Sequence, residues 1–322
     1  MERVFVIGGT GFLGYHIIQE FLSAGWEVTA IGLPSVHPPR LFPESVKMIY
    51  QDLDQASDEE LLSMMRGHTA LVFAAGRDDR YTPNKPAYPM FHQANVSALA
   101  RILHLAKDAG IKRAVVLGSY FAYFHRLWPE LNLAERHPYI RSRIEQETVA
   151  FSIPGLEVMV LELPYIFGSL PIRGWKPLWA PLVKYIRSSY LLFYMQGGTT
   201  CISARTVGRA ALAAIERGKA GTTYPIGQEN LTWPQMLGRL ASADIPDRPI
   251  KVITLPTWLI SLGMFGVLIF HSLQGRESGL NMRYFSSLQT MNTFIDPDIS
   301  RDALGYALDD LDSSFRETVK AC

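Results

Sequence analysis

The chain has 322 residues, with 31 Lys and Arg against 30 Asp and Glu, and is 48% hydrophobic. That length allows one large domain or two and a core that needs no covalent staples. The composition excludes intrinsic disorder. The near-neutral balance argues against a dedicated nucleic-acid binder, so no nucleic-acid partner is expected. The two cysteines, Cys201 and Cys322, cannot build a disulfide framework and fit a reducing, cytoplasmic setting. Apolar residues begin at Val4 without the polar flank and cleavage site of a secretory leader, so none is expected.

Residues 3–7 are a continuous apolar run ending in glycines, the pattern of a strand buried on both faces. Phe12, Leu13, Ile17, Ile18, Phe21 and Leu22 then recur at a helical period over 11–24, and Gly25 ends it. Strands are expected at 27–31 and 46–50. A helix over 57–66 opens with Ser57 and Glu60 as a capping box. A strand at 70–74, a long helix over 90–109 ended by Gly110, a strand at 113–117, a helix over 139–150 and a strand at 157–161 follow. This alternation predicts an α/β fold, a doubly wound parallel sheet of the Rossmann type. After Pro164 the pattern loosens. Residues 168–200 are irregular, a helix returns at 207–217, a strand at 223–226 and a helix at 231–241 with Thr232 as its cap. The tail from 298 is short and amphipathic.

One run stands apart. No Asp, Glu, Lys or Arg occurs from 252 to 275. Residues 252–270 come close to the roughly 20 apolar residues of a membrane span, but Pro256 lies inside the run, and Ser261, Gly263 and Gly266 dilute it. A buried or groove-lining helix starting near Pro256 is the first expectation. A helix lying on a membrane surface, which would make the protein peripherally membrane-bound, is the second, and a span the third.

The strongest motif is Gly8-Gly9-Thr10-Gly11-Phe12-Leu13-Gly14, which satisfies G-x-G-x-x-G between an expected strand and an expected helix. Glycines permit the tight turn and close backbone approach to a pyrophosphate, and the helix N-terminus adds a favourable dipole. Gly8, Thr10, Gly11, Phe12, Leu13 and Gly14 are therefore cofactor-binding candidates. The expected organisation is a dinucleotide-binding domain over 1–165, joined by about 201–228. A smaller, interleaved substrate-binding region then takes 166–200 and 229–322.

With this motif in place the chain resembles the extended short-chain dehydrogenase/reductases, the NAD-dependent epimerase/dehydratase family, over nearly its whole length. Gln51-Asp52-Leu53 is similar to the family's acidic-apolar pair, which implies that Asp52 and Leu53 hold adenine. Phe73-Ala74-Ala75-Gly76 resembles the segment along the cofactor, implying roles for Ala74, Ala75 and Gly76. Asn95 resembles the asparagine that braces the site, and Leu117-Gly118-Ser119 the strand end carrying the catalytic serine. Leu163-Pro164-Tyr165-Ile166-Phe167-Gly168 resembles the loop against the nicotinamide, implying contacts from Pro164, Tyr165 and Ile166. Tyr224-Pro225-Ile226-Gly227 and Arg301-Asp302-Ala303-Leu304-Gly305-Tyr306 resemble later landmarks. The resemblance also implies a homodimer through helices matching 90–109 and 139–150.

The family's Tyr-x-x-x-Lys reads here as Tyr139-Ile140-Arg141-Ser142-Arg143, with arginine at the lysine position. Residues four apart share a helix face. A free tyrosine titrates near 10, and a nearby positive charge is expected to lower that value. Arg143 can supply the field and hydrogen-bond a ribose, but it cannot readily relay a proton as lysine can. Tyr139, Arg143 and Ser119 are the catalytic candidates. Tyr139 is the acid/base, and Ser119 orients the substrate oxygen.

NAD enzymes place a carboxylate at the end of the second strand. Here the stretch is Val28-Thr29-Ala30-Ile31-Gly32-Leu33-Pro34, with none, and Arg40 follows as a candidate for a 2′-phosphate. NADP is therefore expected, with NAD as the alternative. The eight histidines show no metal-ligand spacing, so no metal is expected. His125 and His137 are expected to be loop histidines. Tyr120, Phe121, Tyr123, Phe124 and Trp128 read first as core. With Trp175, Trp179, Tyr185 and the run from Leu255 they offer an apolar pocket as the alternative. The expected function is hydride transfer between a nicotinamide and a carbonyl or secondary alcohol of an apolar small molecule. A nucleotide-sugar epimerase or dehydratase, an oxidation-coupled isomerase, and a non-catalytic NAD(P) sensor are the alternatives.

Overall fold

In the computed structural model, which describes residues 2–36, 38, 40–246 and 248–322, the first apolar run becomes β1 (Arg3–Ile7). It is followed by α1 (Phe12–Ser23), β2 (Glu27–Gly32), β3 (Lys47–Tyr50), α2 (Asp58–Met65) and β4 (Ala70–Phe73). The long expected helix is two segments, α3 (Tyr88–His92) and α4 (Ala98–Asp108), joined by a π-helical turn (Gln93–Ser97). Then come β5 (Arg113–Ser119), α5 (Tyr120–Leu127), α6 (Leu133–Arg136), α7 (Pro138–Ala150), β6 (Glu157–Leu163) and β7 (Tyr165–Phe167). The second half holds α8 (Ala180–Ser188), β8 (Leu191–Met195), β9 (Gly198–Ser203), α9 (Ala204–Arg217), β10 (Thr222–Pro225), β11 (Glu229–Thr232) and α10 (Trp233–Asp244). It ends with β12 (Lys251–Leu255), α11 (Thr257–Leu273), α12 (Met282–Gln289), β13 (Asn292–Thr293), α13 (Asp298–Leu304) and α14 (Leu311–Lys320).

Seven strands pair in parallel in the order β10-β6-β5-β4-β1-β2-β3. Winding reverses at β1, and a crevice at the carboxyl ends of the strands follows from that reversal. Both faces are covered. Ile17, Ile18 and Phe21 of α1 and Val207, Ala210 and Ala211 of α9 pack on one. Leu61 and Met65 of α2 and Leu99, Ile102 and Leu103 of α4 pack on the other. The Ser57 capping box is present: Ser57 Oγ accepts from Glu60 N at 3.2 Å, and the Glu60 carboxylate accepts from Ser57 N at 2.8 Å. Thr232 caps α10.

A smaller sheet is built around β9, flanked by β11 on one side and by β13 and β7 on the other. The strand at 198–203 thus lies in the small sheet, while α9 and β10 join the large one. β8 and β12 form a separate parallel pair. Phe167, Trp233, Leu237 and Phe315 fill the core beneath.

The aromatic stretch after Ser119, read first as core, is helix α5, with Tyr120, Phe121 and Phe124 buried. Two segments differ from expectation. The irregular residues 168–200 contain α8 and β8. The uncharged run is not a buried helix: it divides at Pro256 into edge strand β12 and helix α11, and none of α11's residues is buried. Among the described residues its close helical neighbour is α12, and the large apolar side chains on its other face are exposed.

Candidate active site

The glycine loop forms the turn its spacing requires. Gly8 and Gly9 both donate to Ile31 O of β2 at 2.9 Å, and Gly11 N donates to Gly8 O at 2.9 Å. Gly8 has φ +87°, a region that favours glycine. A Cβ on Gly14 would fall on Gly8 O and lie 2.8 Å from Gly8 C. Gly11 caps α1 without a side chain, and no acid sits in the first turn. The leading N–H groups of α1 therefore lack side-chain partners at the positive end of the helix. This cradle fits a pyrophosphate. Phe12 stacks on Trp175 at 5.3 Å, and buried Thr10 packs on Gly32.

The exits of β4, β5 and β6 converge on the same edge of the sheet. Asn95 projects from the π turn and is fully buried. Its Oδ1 accepts from Arg77 N at 2.8 Å, and its Nδ2 donates to Arg77 O at 3.1 Å and Ser142 Oγ at 3.0 Å. Ser142 Oγ in turn donates to Tyr139 O at 2.7 Å. One amide thus ties the segment after β4 to the first turn of α7. Gly76, at φ +138°, has no room for a side chain beside Asn95 Oδ1. Ala74 N donates to Ile7 O at 2.9 Å, which aligns Ala74, Ala75 and Gly76 alongside the glycine turn.

Ser119, Tyr139 and Arg143 come together as the motif requires. Tyr139 is buried, with Ser119 and Arg143 beside its phenol and the guanidinium carbon of Arg143 5.2 Å from its ring centroid. Phe91 and Phe121 pack edge-on against its ring at 5.8 and 6.3 Å. Arg143 Nη1 donates to Leu117 O at 3.3 Å and Gln146 Oε1 at 2.9 Å, and Nη2 donates to Arg77 O at 3.3 Å. Nε is buried without a partner. Ser119 also caps α5, its Oγ accepting from Phe121 N at 3.4 Å. The positive charge does not win at Tyr139. Burial raises the phenol above its ordinary value, and Arg143 offsets this only in part. The expected net lowering is thereby reversed, because desolvation penalises the phenolate more than one guanidinium stabilises it.

The remaining candidates lie in several separate places. Leu53 lines a cavity of about 330 Å3 with Gln93, Ser97 and Arg101. Asp52 Oδ1 accepts from Asp54 N at 3.0 Å, closing a turn. Arg40, at φ +56°, lines a separate cavity of about 210 Å3 with Phe42, Met48 and Tyr50. Pro164 leads into β7, where Tyr165 OH donates to Gln289 Oε1 at 3.4 Å and Ile166 O accepts from Trp179 Nε1 at 2.9 Å.

Two participants were not anticipated. Gln146 orients Arg143. Asp79 follows the Ala74-Ala75-Gly76 exit, and its carboxyl is pushed up to about 6 by burial and by the neighbouring Asp78. Its charge also raises Tyr139, Tyr120 and Tyr165. The visible signal was an acidic pair at the carboxyl edge of a central strand. Of the two histidines expected in loops, His125 lies instead on α5. His137 is in the connection between α6 and α7, as expected, and its Nδ1 accepts from Asn281 N at 3.0 Å. Burial, with Arg136 nearby, pushes His137 down to about 4, so it is neutral.

The aromatics do not form one pocket. Tyr120, Phe121 and Phe124 pack around Phe91 and Tyr139. Trp179 stacks on Phe167 at 4.6 Å beneath the small sheet, where Tyr185 also packs. Among the described residues no group of three or more His, Cys, Asp or Glu is arranged to hold a metal.

The family model described as the NAD dependent epimerase/dehydratase family matches residues 4–176. A putative dihydroflavonol 4-reductase of Synechocystis sp. is 26% identical, covering 79% of this chain and 76% of its own. A 4-hydroxy-2-methyl-3-oxo-4-farnesyl-3,4-dihydroquinoline-1-oxide ketoreductase of Stigmatella aurantiaca is 26% identical over 69% of this chain and 67% of its own. Among solved structures, a double mutant of the dTDP-glucose 4,6-dehydratase of Streptomyces venezuelae with NAD bound shares the fold. Its TM-score is 0.70 at 19% identity, over 99% of this chain and 96% of that one.

Proposed function

The chain belongs to the NAD-dependent epimerase/dehydratase family, and from that premise we propose that it is an NADP(H)-dependent reductase acting on a ketone of an apolar small molecule. The observation that carries the reading is the grouping of buried Tyr139, Ser119 and Arg143 at the carboxyl edge of the sheet. Burial raises the phenol, which favours its protonated form, the form that donates a proton in ketone reduction.

When bound, the dinucleotide supplies hydride to the carbonyl carbon. The Gly8–Gly14 turn and the leading amides of α1 hold its pyrophosphate. Ser119 donates a hydrogen bond to the carbonyl oxygen and orients it. Tyr139 transfers its proton to that oxygen as the C=O bond becomes C–OH. Arg143 and Ser119 then stabilise the phenolate left behind. Gln146 and the carbonyls of Leu117 and Arg77 fix the guanidinium so that its charge is in place beforehand.

The absence of a carboxylate at Gly32, Leu33 and Pro34 removes the repulsion that a 2′-phosphate would meet and supports NADP. The farnesyl-bearing substrate in the name of the ketoreductase relative supports an apolar substrate. A sugar diphosphate would need basic groups from the second half, where Arg173, Lys176, Lys184 and Arg187 are available, and Arg187 is already bound to Asp244 at 2.8 Å.

Purified protein mixed with NADPH or NADH and a panel of apolar ketones, followed by cofactor absorbance, tests the reading. Turnover with NADPH that Tyr139→Phe abolishes while cofactor binding persists is the expected result. Tight cofactor binding with no turnover on any ketone, or on any nucleotide sugar, would instead assign a sensing role. Turnover confined to nucleotide sugars would assign epimerase or dehydratase chemistry.

A further inference from the structure

Helix α11 turns much of its apolar surface outward. Its inward side carries half-buried Ile260, Met264, Val267 and Leu268 together with polar contacts: Thr257 Oγ1 donates to Thr290 Oγ1 at 3.4 Å, Ser261 Oγ meets Ser286 Oγ at 2.6 Å, and His271 Nδ1 meets Ser278 Oγ at 2.8 Å. Its outward stripe, at the same helical spacing, is Trp258, Leu262, Phe265, Ile269 and Leu273, with Phe270 beside it. Trp258 is 67% exposed, Leu262 63% and Leu273 83%. Gly263 and Gly266 face open space. An exposed apolar stripe of this kind on a helix about 25 Å long exceeds what scattered surface residues explain. Leu191, Phe193 and Ile253 on β8 and β12 are further exposed apolar side chains on the strand pair that leads into α11.

We propose that the outward face of α11 seats the protein on the surface of an anionic phospholipid bilayer. Charge selects this occupant. The uncharged run 252–275 is bracketed by the exposed cations Lys251, at the start of β12, and Arg276, while the next carboxylate, Glu277, is turned inward to accept from Ala87 N. An apolar stripe with a tryptophan near one end and cations at both ends matches the acyl boundary and the anionic headgroups above it. No helix among the described residues is long and apolar enough to cross a membrane, so the helix lies in the interface.

The seat is joined to the candidate site. The segment leaving α11 runs beside the one that follows Asp79: Lys85 N donates to Gly275 O at 2.9 Å, Glu277 N to Pro83 O at 3.0 Å and Gly279 N to Tyr81 O at 3.3 Å. Gly279 O then accepts from Tyr139 N at 3.1 Å. A substrate dissolved in the bilayer would be taken up near that edge, a consequence that rests on the apolar-ketone reading; the seating itself does not.

Flotation of the full chain with vesicles of phosphatidylcholine alone or mixed with phosphatidylglycerol tests the seating without substrate or cofactor. Binding to the mixed vesicles is expected. Leu262→Glu with Phe265→Glu should lower the bound fraction about tenfold or more while leaving the melting temperature and cofactor binding unchanged. Lys251→Glu with Arg276→Glu should weaken binding to the anionic vesicles alone. Failure to float with either composition would overturn the proposal. So would light scattering that shows a dimer turned into a monomer by the Leu262→Glu and Phe265→Glu pair, because the face would then belong to a second copy.

Discussion

The guanidinium carbon of Arg143 lies 5.2 Å from the centroid of the Tyr139 ring, one turn along α7, while its nitrogens are tied to Leu117 O, Gln146 Oε1 and Arg77 O. A lysine could not reproduce this. Its single ammonium reaches no such spread of acceptors on β5, α7 and the exit of β4. Arg143→Lys, although it restores the family's residue, should therefore leave buried acceptors unpaired at a cost of about 1–3 kcal/mol. A lower melting temperature and a raised KM for the dinucleotide are expected from thermal melts and steady-state kinetics. An unchanged melting temperature with faster turnover would show that the arginine network does not organise the site.

Gly14 and Gly238 make opposite predictions. A methyl group at Gly14 meets the backbone of Gly8 and Gly9, which cannot yield without opening the turn. Gly14→Ala should weaken dinucleotide binding by roughly ten- to hundredfold, measured by calorimetry. Gly238, inside α10, has nothing within 4 Å of the place a methyl group would take. Gly238→Ala should raise stability by about 0.5–1 kcal/mol, measured by denaturant unfolding.

Beneath the site, Arg126 bridges two buried carboxylates, Glu147 at 2.7 Å and Glu162 at 2.6 Å. Burial, with Glu162 alongside, pushes Glu147 up to about 9. The pair therefore holds a proton in the folded state that an unfolded glutamate releases near 4.3. This contribution to stability is fully present below that value and is lost as pH rises toward 9. Glu162→Gln removes one charge and keeps an acceptor for Arg126. Melting temperatures between about pH 6 and pH 9 should fall in the parent and stay flatter in the variant. Parallel curves would mean that no proton is shared.

Asp79 adds negative charge to the phenol of Tyr139 once it ionises, at about pH 6. That charge opposes phenolate formation. In Asp79→Asn the upper limb of the pH profile of kcat/KM should shift to lower pH, because the buried phenol loses a repulsive neighbour. The profile of the parent, recorded beside it on a ketone that turns over, checks the sign. A limb that does not move would place Asp79 outside the reacting groups.

Much of the large sheet was legible because its signals are local. The Gly8–Gly14 spacing, the Ser57 and Glu60 cap and the apolar runs each depend on a few neighbouring residues. The Tyr139 and Arg143 pair was legible for the same reason, since four residues on a helix are one turn. Helix α5 was not, because its aromatics suit a helix, a strand or a pocket wall until Phe91 and Tyr139 pack against them. Asp79 was overlooked because only the convergence of three strand exits turns a loop carboxylate toward a phenol.

The sequence alone determined the alternation of strands and helices in the large sheet, the Gly8–Gly14 turn and the one-turn spacing of Tyr139 and Arg143, since backbone geometry and helical period act over short distances. The tertiary structure alone decided the upward shift of the Tyr139 phenol, the three anchors of Arg143 and the outward face of α11. Each of these depends on burial, and burial is set by segments far apart in the chain.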